Sequence, residues 1–103
     1  MPYLLQVDFD MDGPFGDAMV QAFSGLAHSI NQEPGMLWKI WTEAAAQGQA
    51  GGVYLFDTHA NAERYLQMHS ARLLQAGVRN LRSRIFEVNE ALSAINHGPV
   101  KAG

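Results

Sequence analysis

One of the four histidines in the chain lies on the apolar stripe of a predicted helix. Ala62, Leu66, His69, Leu73 and Ala76 recur at the spacing that places side chains on one helix face. An imidazole on such a face is either a core residue with its hydrogen bonds satisfied or a group that lines a cavity between helix and sheet. In a cavity, an ordinary histidine pKa of about 6.5 suits a general base that acts on a phenol or enol, or a donor to a developing oxyanion.

The only two tryptophans, Trp38 and Trp41, are candidates for the wall of a binding pocket. They lie three residues apart in a predicted strand, so their side chains point to opposite faces of the sheet. One indole could therefore stack on a flat substrate, and we favour Trp38 for this role, although the pattern does not decide which face each occupies. The alternative is that both tryptophans serve only core and interface packing.

Four further residues could contact a ligand. Tyr54 and Phe56 share one face of a predicted strand, and the Tyr54 hydroxyl could bond to a substrate or simply reach solvent. Tyr65 lies beside the apolar stripe of the second helix. Asn31 follows the first helix, where it either satisfies the last backbone carbonyls or offers an amide that polarises a substrate carbonyl.

Composition argues against several other kinds of site. The chain has no cysteine, and its histidines are neither spaced as a metal cluster nor joined by a carboxylate pair, so we expect no metal. We expect no cofactor, since no glycine-rich strand–turn–helix motif marks a nucleotide site. The net charge of −3 predicts no nucleic-acid partner. Neither a membrane-spanning run nor a signal-peptide pattern is visible, which predicts a cytoplasmic protein without membrane contact.

Hydrophobic periodicity predicts an α+β domain that spans residues 1–103, with a flexible tail at 97–103. Alternation predicts strands and three- to four-residue spacing predicts helices, in the order βαββαβ followed by a short helix. This order predicts a ferredoxin-like, four-stranded antiparallel sheet with two helices on one face. The predicted elements are a strand at 3–9, a helix at 14–30, strands at 36–42 and 51–56 joined by a mobile connection at 44–50, a helix from a cap at Asp57 or Thr58 to Gln75, a strand at 78–88 and a helix at 90–96.

The face of the sheet away from the helices also carries apolar side chains, because apolar residues occur at both parities of the second and third strands. Monomeric proteins seldom expose an apolar face that includes a tryptophan. We therefore predict a homodimer in which the same face of a second copy provides the cover, giving a dimeric α+β barrel. Alternatively, one tryptophan lies at the edge of the sheet and is partly exposed to solvent.

Five blocks of the sequence resemble one known family, the YdhR-type mono-oxygenases. The blocks are GPFGDAM (13–19), SINQEPGMLWKIWTE (29–43), GGVYLF (51–56), HSARL (69–73) and VNEALSAIN (88–96). The resemblance extends from about Tyr3 to His97 and implies the dimeric α+β barrel. It also implies cofactor-independent oxygen chemistry on an electron-rich aromatic molecule such as a quinol or polycyclic phenol, with His69 at the substrate pocket. A dimeric module that binds a small hydrophobic ligand, or haem, without turnover is the alternative.

Overall fold

The computed structural model describes residues 1–100. Its sheet has the strand order β2–β3–β1–β4, and each pair of neighbouring strands is antiparallel. This is the ferredoxin-like arrangement predicted from the sequence. The elements are β1 (Tyr3–Asp10), α1 (Gly16–Ile30), β2 (Met36–Ala44), a 3₁₀ turn (Ala45–Gln47), β3 (Gln49–Phe56), α2 (His59–Gln75), β4 (Arg79–Glu87) and α3 (Glu90–Ile95).

The hydrophobic core lies between one face of the sheet and the two long helices. Alternation along β1 sends Leu5, Val7 and Phe9 to this face, where all three are buried. Apolar residues of both helices join the same cluster, among them Met19 of α1 and Tyr65 of α2. Both helices therefore cover one face of the sheet, which we call the helix face.

The opposite, outer face also carries apolar side chains. Cross-strand pairing places Trp38 beside Leu55 and Ile40 beside Val53 on this face, while Trp41 pairs with Gly52 on the helix face. The two tryptophans therefore point to opposite sides of the sheet, as their spacing predicts. Ile40 is 56% exposed, so the outer face is only partly covered within one chain.

Part of the predicted flexible tail contacts the outer face. The indole Nε1–H of Trp38 donates a hydrogen bond to the carbonyl oxygen of Pro99 at 2.8 Å. The backbone N–H of Gly98 donates to the carbonyl of Ser93 at 2.8 Å, which joins this segment to α3. Residues 101–103 of the predicted tail lie outside the described residues.

Two predicted boundaries differ from the structure. Helix α1 begins at Gly16 and not at Pro14, since the backbone of Phe15 is extended, with φ −126° and ψ 166°. The carboxylate of Glu43 accepts a hydrogen bond from the N–H of Gly16 at 2.8 Å and so caps the helix from β2. The connection predicted at 44–50 is shorter, because β2 extends to Ala44 and β3 starts at Gln49.

The close approach of β1 and β3 generates a stability prediction at Gly51. A Cβ atom on Gly51 would collide with the carbonyl oxygen of Val7, which is backbone and cannot move alone. We expect Gly51→Ala to lower the free energy of unfolding by about 3 kcal/mol, measured by urea denaturation followed by circular dichroism.

The matched control is Gly25→Ala in α1, where a Cβ would meet no atom within 4 Å. This change should raise the free energy of unfolding by up to about 1 kcal/mol, because alanine is the better helix former. Equal stability of Gly51→Ala and the native protein would contradict the β1–β3 packing described here.

Candidate active site

A cavity of about 410 Å³ lies between the helix face of the sheet and the two long helices. Helix α2 packs closely on β1, β3 and β4, whereas α1 stands further from the sheet and leaves the space open. The walls are mainly apolar, with Val7 and Phe9 from β1 and Met19, Phe23 and Leu26 from α1. A volume of this size and lining is typical of small-molecule sites.

An aromatic wall forms where α1 faces β2. The rings of Phe23 and Trp41 are stacked, with centroids 6.2 Å apart and planes 15° apart. The amine of Lys39, which lies on the same strand face as Trp41, is 3.4 Å from the centroid of the Trp41 ring and 4.6 Å from that of Tyr54. The wall therefore offers flat apolar surface beside one cationic group.

His69 contributes a polar group from α2 and is only 3% exposed. Its Nδ1 lies 2.8 Å from Nη2 and 3.3 Å from Nε of Arg72, one helical turn further on. Because a guanidinium can only donate, Nδ1 is the acceptor and the ring proton lies on Nε2. Among residues 1–100, Nε2 of His69 has no hydrogen-bond partner, whereas every fully buried side-chain nitrogen and oxygen has one. Nε2 is therefore not fully buried, and the cavity that His69 lines is the space next to it.

The protonation state of His69 follows from its surroundings. Burial, with the positive charges of Arg72 and Lys39, lowers the pKa of His69 to about 3. The imidazole is therefore neutral near pH 7, and its basic nitrogen is already occupied by Arg72. This arrangement suits a hydrogen-bond donor through Nε2–H and not the general base considered from the sequence.

Two tyrosines position the imidazole. The Tyr65 ring stacks on His69 with centroids 5.0 Å apart, and its hydroxyl donates to the hydroxyl of Tyr54 at 3.1 Å. Burial is the first cause of a raised pKa at both hydroxyls, so both stay protonated. Phe56 packs behind the pair, with its centroid 5.5 Å from that of Tyr65. Of these three aromatic side chains, Tyr54 lines the cavity.

The structure brings together only part of the predicted site. His69, Trp41 and Tyr54 line the cavity, and Tyr65 and Phe56 lie directly behind them. Trp38, which the sequence favoured as the pocket wall, lies on the outer face, because a register shift between Met36 and Trp38 changes the parity of β2.

Asn31 also lies away from the cavity. It is the exposed C-cap of α1, and its backbone N–H donates to the carbonyl of His28, while the N–H of Gln32 donates to that of Ser29. This position agrees with the capping alternative for Asn31 and offers no amide to a ligand in the cavity.

Sequence reasoning missed the two cations of the site, Lys39 and Arg72. Burial, and next the charge of Arg72, lowers the pKa of Lys39 to about 7. A usable signal existed for each residue. Lys39 shares the parity of Trp41 and lies between the apolar Trp38 and Ile40, and Arg72 follows His69 at the three-residue spacing of helix neighbours.

The fold and cavity define a ferredoxin-like α+β protein with a ligand-sized pocket between its helices and its sheet. Residues 4–99 match the family described as "Putative mono-oxygenase ydhR", and the chain belongs to this family. Family membership supports a general mono-oxygenase role. No protein with a curated description matches the chain.

Two solved structures share the fold. One is described as a "putative antibiotic biosynthesis monooxygenase" from Deinococcus radiodurans, with a TM-score of 0.63, 16% identity, and coverage of 84% of this chain and 92% of that one. The other is a variant of SnoaB, a cofactor-independent oxygenase from Streptomyces nogalater, with a TM-score of 0.61, 15% identity, and coverage of 85% and 93%. At these identities the similarity establishes the fold.

Two further properties concern residues 1–100. None of their helices combines the length and apolar character needed to cross a bilayer. Within the same range, no three His, Cys, Asp or Glu side chains are grouped in a way that could hold a metal ion.

The neutral buried imidazole predicts a specific loss of stability in acid. In the unfolded protein the pKa of His69 is near its ordinary value of 6.5, whereas in the folded protein it is about 3. The unfolded state therefore binds more protons between these limits, and stability falls as the pH drops from 6.5 towards 3. By pH 4, this one group should cost about 3 kcal/mol.

The measurement compares urea denaturation at pH 7 and pH 4 for the native protein and for His69→Asn, whose amide oxygen can still accept from Arg72. The variant should lose about 3 kcal/mol less than the native protein between these pH values. His28→Gln, at an exposed position, is the control and should follow the native curve. Parallel curves for His69→Asn and native protein would contradict a neutral buried imidazole.

Proposed function

We propose that this protein is a cofactor-independent mono-oxygenase that acts on an electron-rich aromatic small molecule, such as a quinol or a polycyclic phenol. The observation that carries the proposal is the apolar cavity of about 410 Å³ that combines a stacked aromatic wall with the Nε2–H donor of His69. A substrate of this class needs a dry, flat site and a donor that stabilises its anion. Membership of the mono-oxygenase family supports the same reaction.

The reaction balances without a bound cofactor, because the substrate itself supplies the electrons. A phenol deprotonated to its phenolate passes one electron to dioxygen, and the resulting radical pair combines at a ring carbon. Loss of water then leaves a quinone, so that one oxygen atom enters the product and the other leaves as water with two hydrogens of the substrate. Catalysis therefore depends on how the protein holds the substrate anion and excludes water.

The residues of the cavity have distinct roles in this proposal. The aromatic ring of the substrate stacks on Trp41, which Phe23 supports from α1. The Nε2–H of His69 donates to the substrate oxygen as negative charge develops, while Arg72 fixes the tautomer through Nδ1. The hydroxyl of Tyr54, held by Tyr65, provides a second polar contact at the same end of the cavity.

We further propose that the protein acts as a homodimer through the outer face of the sheet. Ile40 and Phe86 of this face are exposed, as are Leu92 and Ile95 of α3, at 62% and 71%. Apolar side chains exposed together in this way favour association with a second, identical surface.

The mono-oxygenase proposal predicts oxygen consumption coupled to product formation with a panel of quinols and polycyclic phenols, measured with an oxygen electrode and mass spectrometry. His69→Ala should lower kcat about 100-fold, because it removes a donor to the developing anion. Trp41→Ala should raise KM about tenfold, because it removes the stacking surface. Val20→Ala is the control and should retain native turnover, since Val20 is exposed on α1 and is not among the residues that line the cavity.

Binding of the panel without oxygen consumption or a product of altered mass would contradict catalysis. That outcome would favour the alternative, a module that holds a small hydrophobic ligand, or haem, without turnover. Titration with haemin separates these two ligands, because haem coordination by His69 would shift the Soret band in the native protein but not in His69→Ala.

The dimer proposal predicts that the native protein sediments with about twice the mass of one chain. Ile40→Glu should convert it to a monomer at micromolar concentration, because a carboxylate would be buried without a partner at the interface. Val20→Glu is the matched control, since Val20 is an equally exposed apolar residue (65%) on α1. A native protein that sediments as one chain would overturn the proposal.

A further inference from the structure

The polar end of the cavity is made of donors and lacks a carboxylate partner. Lys39, Arg72 and the Nε2–H of His69 all line or adjoin the same space. Within residues 1–100, the ion pairs involve His59, Arg79 and Arg82, and none involves Lys39 or Arg72. Two basic side chains thus share one partly enclosed space, and neither forms an ion pair within residues 1–100.

Two carboxylates near the cavity are engaged elsewhere. Glu43, on the same face of β2 as Lys39, accepts the N–H of Gly16. Asp12, at the rim of the cavity, pairs with Arg79 at 3.0 Å. Uncompensated cations in an apolar enclosure are costly, and a ligand that brings one negative charge removes much of that cost.

We propose that the cavity binds its aromatic ligand as an oxyanion at Lys39, Arg72 and His69, and that Lys39 takes the proton of a neutral phenol or enol when the ligand binds. This inference rests on the proposed function for the class of ligand, and it extends that function by naming the proton acceptor. The ligand is a flat aromatic molecule with an acidic hydroxyl, and the site recognises the negative charge of the deprotonated hydroxyl.

Lys39 is the group in the cavity that is able to take this proton. The Nδ1 of His69 is filled by Arg72, and the guanidinium of Arg72 has no lone pair to offer. The hydroxyls of Tyr54 and Tyr65 are bonded to each other and remain protonated. The amine of Lys39 stands over the Trp41 ring, beside the surface on which the ligand stacks.

The charge state of the free amine is compatible with this role. The groups that face it are Tyr54 from β3 and His69 and Arg72 from α2, with Glu43 further along its own strand. Burial and the Arg72 charge lower the pKa of Lys39 to about 7, so a large fraction of the amine is neutral at physiological pH. A nearby oxyanion acts in the opposite direction and stabilises the ammonium.

The proton transfer conserves atoms and charge. The O–H bond of the ligand breaks, its electron pair stays on the oxygen, and the proton bonds to the lone pair of Nζ. An ammonium and a phenolate then face each other, with Arg72 and His69 as further donors to the oxygen. No proton is exchanged with solvent in this step.

Gly52 makes room for the lysine. A Cβ on Gly52 would lie 2.8 Å from Cε of Lys39 and 3.3 Å from Cε1 of Tyr54. Because the lysine chain is flexible and the Tyr54 ring is packed, Gly52→Ala should displace the amine while leaving it in the protein. Comparing this variant with one that lacks Lys39 therefore shows whether the position of the amine matters as well as its presence.

The first experiment measures the titration of Lys39 directly. The chain has only two lysines, Lys39 and Lys101, so protein labelled with ¹³C-lysine gives two Cε resonances. Lys39→Arg and Lys101→Arg assign them. We expect the Lys39 resonance to titrate with a midpoint near pH 7. Bound 2-naphthol should raise this midpoint by more than one pH unit. A Lys39 midpoint above pH 9 in the free protein would overturn the proposal.

The second experiment uses 2-naphthol under nitrogen at about pH 8, where the free probe is mostly neutral. The native protein should bind it as naphtholate, visible as a red-shifted absorption, with almost no proton released to the buffer. Lys39→Met and Gly52→Ala should bind it about tenfold more weakly and with the spectrum of the neutral form. Lys39→Arg should release one proton per bound naphtholate, because a guanidinium cannot accept it.

Arg64→Met is the charge control, since Arg64 is exposed on the same helix as Arg72, and it should bind the probe as the native protein does. Circular dichroism confirms the fold of each variant. The proposal would be overturned if the native protein bound the probe in its neutral form, or did not bind it between pH 6 and 9. It would also be overturned if Lys39→Met bound the same fraction as naphtholate as the native protein does. Because the assay excludes oxygen, its result is independent of whether the panel of substrates is oxygenated in air.

Discussion

The hydrogen bond from Arg72 to Nδ1 of His69 is the constraint on which the character of the cavity depends. It fixes a neutral imidazole with its proton on Nε2, in a position where burial already disfavours the charged form. The same contact holds the guanidinium at the polar end of the cavity. The stacked ring of Tyr65 and the hydroxyl pair with Tyr54 complete this network, and no buried side-chain nitrogen or oxygen of residues 1–100 is left without a partner.

The space around this network exists because the two helices are held differently. Helix α2 packs closely on three strands, through the small Ala62 and the aromatic Tyr65. Helix α1 is anchored at its start by Glu43 and at its end by the buried Ile30, and the segment between them stands off the sheet. An apolar cavity between a close helix and a distant one can admit a flat ligand without rearrangement of the core.

The fold is shared with oxygenases at 15–16% identity, and a shared fold of this kind hosts many activities. The chemistry of this chain lies in one cavity, which joins aromatic surface to two basic side chains and an imidazole donor. The outer face has a separate character, with apolar side chains and the Asp8–Arg82 ion pair at 2.9 Å. The two faces of one sheet thus differ in character, since one borders the cavity and the other carries exposed apolar side chains.

Local patterns in the sequence were sufficient for the fold and for part of the site. Period-two alternation in β1 and the helical spacing around His69 are properties of neighbouring residues, and they predicted the strand, the helix and the inward position of the imidazole. The opposite orientation of Trp38 and Trp41 follows from the same alternation. Alternation alone did not show which tryptophan faces the helices. The register shift after Met36 reverses the parity of β2, and this shift depends on pairing with β3.

Only the tertiary structure decided the rest. The packing of the helices over the sheet sets the cavity, and it brings His69 and Arg72 of α2 to the space that Lys39 and Trp41 of β2 also line. The pKa values that give these groups their chemistry arise from burial and from charges that are remote in sequence. The amino-acid sequence by itself determined which residues of β1 and α2 face inward, because periodicity is local. Which of them meet, and in what charge state, was decided by packing, because electrostatic and steric effects depend on distance in space.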